Sequence, residues 1–194
     1  MQVLKEEVRK SILQKAQETF LQTGFRNASM KDIAVKAGVA VGNLYRYYPN
    51  KEALFDAVTA RAYDELTGLI TEDQQKRIQS GLAVFEEVGR VLSILVQEQR
   101  EGLLILLYGS AGTSREGFRE RFFAEFAEHI MTHLADYNRS HPKAQLQMEV
   151  SRPLSVAFLE GYFEIMRTSV SQEQIDSLTR QYVSVWFMGL GKLI

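Results

Sequence analysis

The chain has no cysteine among its 194 residues. That excludes disulfides, thiolate zinc sites and a cysteine nucleophile. Proline is scarce, with only Pro49, Pro142 and Pro153. So few helix breakers, together with apolar residues recurring at spacings of three and four, predict an all-α protein. Long hydrophobic runs are missing as well. The longest covers residues 103–108, against the roughly 20 apolar residues that a bilayer-spanning helix requires. The opening MQVLKEEVRK is charged and lacks the apolar stretch of a secretory leader. A soluble, cytoplasmic protein with no membrane partner is expected. The sequence also lacks internal repeats, low-complexity tracts and a glycine-rich phosphate loop.

The apolar and charged fractions, 45% and 24%, are those of an ordinary globular chain long enough for one large or two small cores. The net charge of -1 hides a partition. The first 51 residues hold nine basic and four acidic side chains, a balance of +5; the remainder holds 14 basic and 20 acidic, a balance of -6. A basic head on an acidic body suits a head that meets phosphate and a body that does not.

Residues 29–51, SMKDIAVKAGVAVGNLYRYYPNK, carry the most specific pattern. They read as a short helix, a glycine turn, a second short helix and a capped restart, which is the order of a helix-turn-helix reader of duplex DNA. A first helix is expected over 5–23, with Val8, Ile12, Ala16 and Phe20 on one stripe, Leu13 beside them and Gly24 at its end. Ser29 is the expected N-cap of the second helix, with Asp32 three residues on. Ile33, Ala34 and Ala37 face inward and Gly38 stops the helix. The third helix, 41–48, is anchored by Leu44 and Tyr48. Asn50 caps a fourth, which buries Leu54, Phe55 and Val58. A helix as short as the third is marginal alone and must be held by its neighbours. Its outward set is then Val41, Gly42, Asn43, Tyr45, Arg46 and Tyr47. Gly42 costs about 1 kcal/mol of helix stability relative to alanine. Close approach to a groove wall or phosphate is one reason to keep it, and tolerance near a helix start is the other.

The stretch from Ile12 to Val58 resembles the DNA-binding region of the TetR family of bacterial transcriptional regulators. The likeness rests on the AxxxF of the first helix, the GF turn, DIA followed by AG, G-x-L-Y-x-Y-Y in the third helix, and the K-E-x-L that follows. It implies a helix-turn-helix domain over 1–50, with its motif at about 29–48. Residues 51–194 then form a helical effector-binding and dimerisation domain. By the resemblance, Tyr45 and Tyr47 contact phosphates or base edges, Lys51 grips a phosphate, and Lys31 reaches the DNA. Ser29 and Met30 offer N–H groups to phosphate. Val41, Gly42 and Asn43 occupy the base-reading slots, where an asparagine amide pairs with adenine and a valine meets a thymine methyl. Arg46 completes the DNA-facing set. The family often carries serine where Ala40 stands and threonine where Asn43 stands.

The body reads as helices over 52–70, 77–99, 101–108, 115–138, 152–168 and 172–194. A polar link is expected at 72–76, a flexible break at 109–113 and a loop at 141–147. Leu82, Phe85, Val88, Leu92 and Leu95 line the helix at 77–99. The last two helices are apolar nearly all round, so a partner subunit is the expected cover, through Leu154, Phe158, Phe163, Trp186, Phe187 and Leu190. Gly161 and Gly189 permit close helix approach. A C2 homodimer also sets two reading helices about 34 Å apart for a near-palindromic site in double-stranded DNA. The resemblance implies a small-molecule effector pocket, with Tyr108, Phe122, Phe126, His133, Tyr162 and Met166 as its lining and an apolar or aromatic ligand. A filled core without a cavity is the alternative.

Glu125, His129 and His133 fall at i, i+4 and i+8, but their projection does not converge as a metal-binding HExxH pair does. No metal, cofactor or catalytic residue is expected. An enzyme of the carboxylate di-metal class needs Glu-x-x-His motifs that the chain lacks. The expected function is a ligand-responsive homodimeric regulator, a repressor released from its operator by the effector. The alternative is an effector-independent dimeric DNA-binding protein whose body serves only dimerisation.

Overall fold

The computed structural model describes residues 2–73 and 82–190; within these, the side chains of 2–4, 69–73, 82–89, 187, 189 and 190 lie outside the described set. The expectations for Leu82, Phe85, Val88, Phe187, Gly189 and Leu190, and for residues 74–76 of the polar link, therefore fall outside the described residues. Among the described residues all regular structure is helical: α1 Gln2–Asn27, α2 Met30–Lys36, α3 Val41–Tyr47, α4 Lys51–Asp73, α5 Leu82–Tyr108, α6 Phe118–Ser140, a single 3-10 turn Met148–Val150, α7 Ser151–Thr168 and α8 Gln172–Leu190. The chain forms two compact units, Met1–Asp64 with Gln99–Phe118, and Glu65–Glu98 with Arg119–Ile194.

In the first unit, local chemistry fixes each helix end. Gly24 breaks α1 at φ 70°, ψ 168°, a region open essentially to glycine alone, and one further turn follows it. Ser29 caps α2, its hydroxyl accepting from the Asp32 N–H at 3.4 Å. Gly38, at φ 70°, closes α2 with a Schellman pair: its N–H reaches the Val35 carbonyl and the Val39 N–H reaches that of Ala34. Ala40 precedes α3 without a side-chain cap. Asn50 caps α4 through a 2.7 Å bond from the Ala53 N–H.

Ile12, Ala16, Phe20, Ile33, Ala34, Leu44, Tyr48, Leu54 and Phe55 bury into one core, joined by Ala28, Met30 and Ile105. Val58 and Ala37 are half-buried at its edge.

Two expectations about this unit need correcting. The helices expected over 77–99 and 101–108 are one helix, α5, running through the polar residues 97–101. Those residues face outward or half outward, while Gly102 turns inward against α4, where an added Cβ would stand 3.1 Å from that of Ala62. The glycine is a contact point between the two helices. The flexible break expected at 109–113 is instead a train of turns tied down at several points. The Gly109 carbonyl accepts from the Phe25 N–H at 2.8 Å, the Ser114 N–H reaches Glu52 at 2.9 Å, and Arg115 pairs with Asp56 at 3.0 Å. Glu52 is held below its ordinary carboxylate range by the Ser114 N–H.

The second unit packs α6, α7 and α8 with the start of α5. Leu92, Leu95, Phe123, Ala127, Leu134, Leu159, Phe163 and Met166 are buried in it. Ser155 donates to the Phe123 carbonyl at 2.7 Å, and Tyr162 to that of Leu92 at 2.8 Å. Burial pushes the Tyr162 hydroxyl far up, so it stays a neutral donor. Gly161 permits close approach, as expected, but within the chain. The Tyr182 hydroxyl shares its proton between the Ala157 and Phe158 carbonyls, at 2.8 and 2.9 Å, and sits 2.3 Å from where a residue 161 Cβ would be. Phe158 and Trp186 hold the Tyr182 ring in place.

Gly161→Ala therefore has to displace a phenol that is bonded at its tip and packed along its ring. The expected cost is about 1–3 kcal/mol of overpacking, less the helix propensity that alanine returns. A urea unfolding midpoint no lower than that of the parent would contradict it.

Candidate nucleic-acid interface

α3 is held by what it buries. Leu44 is fully enclosed and Tyr48, just past its end, nearly so. Val41 and Tyr47 pack half-buried against the same core. This leaves Gly42, Tyr45 and Arg46, at i, i+3 and i+4, as the exposed face, with Tyr45 46% exposed and Asn43 at its flank. An added Cβ on Gly42 would meet nothing within 4 Å. The outward set is thus narrower than the sequence reading gave it, because a seven-residue helix needs two faces for anchorage.

Around α3, Lys31 is exposed on the first turn of α2. Ser29 is half-buried, and the Met30 side chain lies in the core, so Met30 could reach a ligand only through its backbone. The Met30 and Lys31 N–H groups sit at the helix end, where no intrahelical acceptor exists. Ser11 of α1 donates to the Ala37 carbonyl at 3.3 Å, and Lys36 reaches the Thr19 hydroxyl at 3.2 Å, so α2 is tied to α1 at its C-terminal end.

Lys51 has a different setting from the one expected. Its ammonium donates to the Phe25 carbonyl at 2.7 Å and the Ala28 carbonyl at 2.8 Å, with that of Arg26 at 3.4 Å. It also lies over the Phe25 ring, 4.3 Å from the centroid. The opposite pole of this contact is the aromatic set Phe20, Phe25 and Phe55, with ring centroids 5.4–6.1 Å apart.

Of the candidate effector residues, Phe122, Tyr162 and Met166 are buried in the second unit and Phe126 is half-buried. His133 is on the exposed face of α6, and Tyr108 belongs to the first unit and is 47% exposed. The inward face of α6 includes Phe122, Phe123, Ala127 and Leu134. Of the candidate dimer residues, Phe158 and Phe163 are covered within their own chain, Phe163 against Phe123 at 5.9 Å. Leu154 and Trp186 are half-buried. The exposed apolar residues of α8 are Val185 (71%) and Met188 (65%). No helix among the described residues is long and apolar enough to cross a membrane.

An α2–turn–α3 pair on a helical frame, with an anchored and outward-facing second helix, defines a helix-turn-helix protein. The family model for bacterial regulatory proteins of the tetR family matches residues 12–58. Over 56 residues the chain is 45% identical to the HTH-type transcriptional regulator RutR of Escherichia coli K12, a match covering 29% of this chain and 26% of that relative. The match thus spans about a quarter of that relative's length. Over 171 residues it is 25% identical to the nucleoid occlusion factor SlmA of Actinobacillus pleuropneumoniae serotype 5b, covering 84% of this chain and 83% of the other. Among solved structures, NalD of Pseudomonas aeruginosa, the secondary repressor of the MexAB-OprM multidrug efflux pump, superposes with a TM-score of 0.61 at 22% identity, over 95% of this chain and 97% of that one. A TetR-family member from Streptomyces coelicolor A3 does so with a TM-score of 0.66 at 20% identity, over 89% and 88%. Over residues 12–58 the chain is thus similar to the bacterial regulatory proteins of the tetR family.

Lys51→Met should remove the charge-assisted bonds to the Phe25 and Ala28 carbonyls and a cation–π contact. Thermal or urea unfolding should register a loss of about 1–3 kcal/mol. On DNA, the salt dependence of binding should keep its slope; a slope reduced by about one, with unchanged stability, would return Lys51 to the role of a phosphate grip.

Proposed function

We propose that the protein is a homodimeric transcriptional regulator that binds a near-palindromic site in double-stranded DNA. Each α3 enters a major groove, and the two grooves lie one helical turn, about 34 Å, apart. The observation that carries the reading is the exposed face Gly42, Tyr45 and Arg46 on a helix fastened by Leu44 and Tyr48. The basic balance of the first 51 residues supports it. In this reading Asn43, at the flank of that face, and Val41, at the helix start, are the further base-contact candidates, with Lys31 and the N-terminal end of α2 on the phosphates. Dimerisation runs through α7 and α8, and Val185 and Met188, with Leu154 and Trp186 beside them, are the apolar surface that a second copy covers.

In the same reading the regulator is a repressor, released when a small apolar or aromatic effector binds the body. NalD's description as a repressor supports the direction. A ligand with unequal affinity for two separations of the reading helices would weaken DNA binding without touching the helices themselves.

A second reading drops the effector and keeps the body for dimerisation alone. Two observations favour it: the burial of Phe122, Tyr162 and Met166, with the Tyr162 hydroxyl spent on the Leu92 carbonyl, and the likeness over 171 residues to a nucleoid occlusion factor.

Fluorescence anisotropy on genomic duplexes tests the shared core. A specific fragment should bind at least about a thousandfold more tightly than random duplex at physiological salt. Uniform binding to all fragments would remove the regulator reading. Tyr45→Ala should weaken specific binding by about 1–3 kcal/mol while moving stability by less than about 0.5 kcal/mol; a large stability loss with unchanged binding would make Tyr45 part of the core. Release of the bound duplex by an apolar or aromatic compound separates the first reading from the second.

A further inference from the structure

We propose that His129 and His133 on α6 form a chelating site for a late first-row divalent cation, with Cu(II) the preferred occupant. The two residues stand at i and i+4, the spacing that stacks side chains on one helix face. Their Nε2 atoms are 3.1 Å apart and their ring centroids 4.7 Å apart. Two metal–nitrogen bonds of about 2.05 Å drawn to atoms at that separation open an angle of about 98°. That lies between the right angle of a square-planar centre and the tetrahedral angle, so the pair needs little adjustment to hold a cation.

The surroundings support the assignment. His133 is exposed and free to turn its ring about the Cβ–Cγ bond. His129 is half-buried and stacks on the Phe126 ring at 6.1 Å, which steadies one ligand. Without a cation, one Nε2–H donates to the other Nε2. With a cation bound, both Nε2 lone pairs point to the metal and each neutral ring carries its proton on Nδ1, so no proton need leave the pair. Among the described residues no group of three histidine, aspartate or glutamate side chains gathers. The centre therefore has two protein ligands, and water fills the rest. A two-imidazole, water-completed site is the kind at which Cu(II) outcompetes Ni(II) and Zn(II).

The chain has only 3 histidines, which makes the assignment testable residue by residue. The third, His141, is engaged elsewhere: its Nδ1 is 3.1 Å from the Tyr137 carbonyl and its ring stacks on Tyr137 at 4.2 Å. The untagged full-length chain is titrated with Cu(II) at pH 7.5 in a weakly coordinating buffer, followed by calorimetry and electron paramagnetic resonance. One equivalent should bind per chain, with a spectrum showing two equivalent nitrogens. His133→Ala and His129→Ala should each weaken binding by more than about tenfold, the loss that even an outer partner of a metal ligand produces. His141→Ala should leave affinity and spectrum unchanged. Circular dichroism melts of each variant separate loss of ligand from loss of fold, and His133, being exposed, carries the decision. Binding that survives His133→Ala in a folded chain, or a nitrogen signature lost with His141→Ala instead, overturns the proposal.

Discussion

The turn at the end of α1 is the contact on which the first unit depends. Gly24 lets the chain leave the helix, Phe25 packs its ring against Phe20 and Phe55, and the Lys51 ammonium closes over the ring and onto the carbonyls of Phe25 and Ala28. That one cation joins the end of α1 to the start of α4. Everything between them, α2, the glycine turn and α3, is a loop of chain whose two ends are tied together. Helices of seven residues are marginal by themselves. Here they are fixed from both sides, by Leu44 below and by closure at Lys51. The Phe25 N–H is satisfied by the Gly109 carbonyl, which extends the same knot to the turns after α5.

Much of this unit was legible because its signals are local. A serine before a helix, a glycine after one and an asparagine before the next act on backbone groups within a few residues. Ser29, Gly38 and Asn50 behave as their chemistry dictates wherever the rest of the chain goes. Leu44 was legible for a similar reason: a short helix has few apolar residues to choose from. The carbonyl contacts of Lys51 were not legible. A lysine at the start of a helix looks the same in sequence whether it meets a phosphate or a carbonyl 26 residues upstream. Nor was the contact at Gly102 legible: nothing local marks it, and only the approach of Ala62 makes the glycine a contact.

The second unit was legible as helices but not in its facing. The α6 pattern leaves the width of its inward face open: Phe122 and Phe123 are both buried, with Ala127 and Leu134, while His133 stands outward beside His129. The same ambiguity led Phe163 to be read as a surface for a partner. A helix that is apolar all round says only that something covers each side, and on α7 the cover is α6 and α8 of the same chain. The unassigned apolar surface moves to Val185 and Met188.

The glycines separate what packing explains from what it does not. Gly24, Gly38, Gly112 and Gly117 have positive φ, so their backbones account for them. Gly161 meets Tyr182 at a distance that a larger residue could keep only by displacing the phenol, and Gly102 lies in tight contact with Ala62. Gly42 and Gly68 have ordinary helical backbones, and a Cβ at either would meet nothing within 4 Å. At Gly42 the helix gives up about 0.5–1 kcal/mol of propensity on an element already short of stability. No contact inside the chain returns it. The position lies on the same exposed face as Tyr45 and Arg46. That is compatible with the groove approach proposed for α3, in which a missing side chain lets the backbone come close, and equally with simple tolerance of glycine near a helix start.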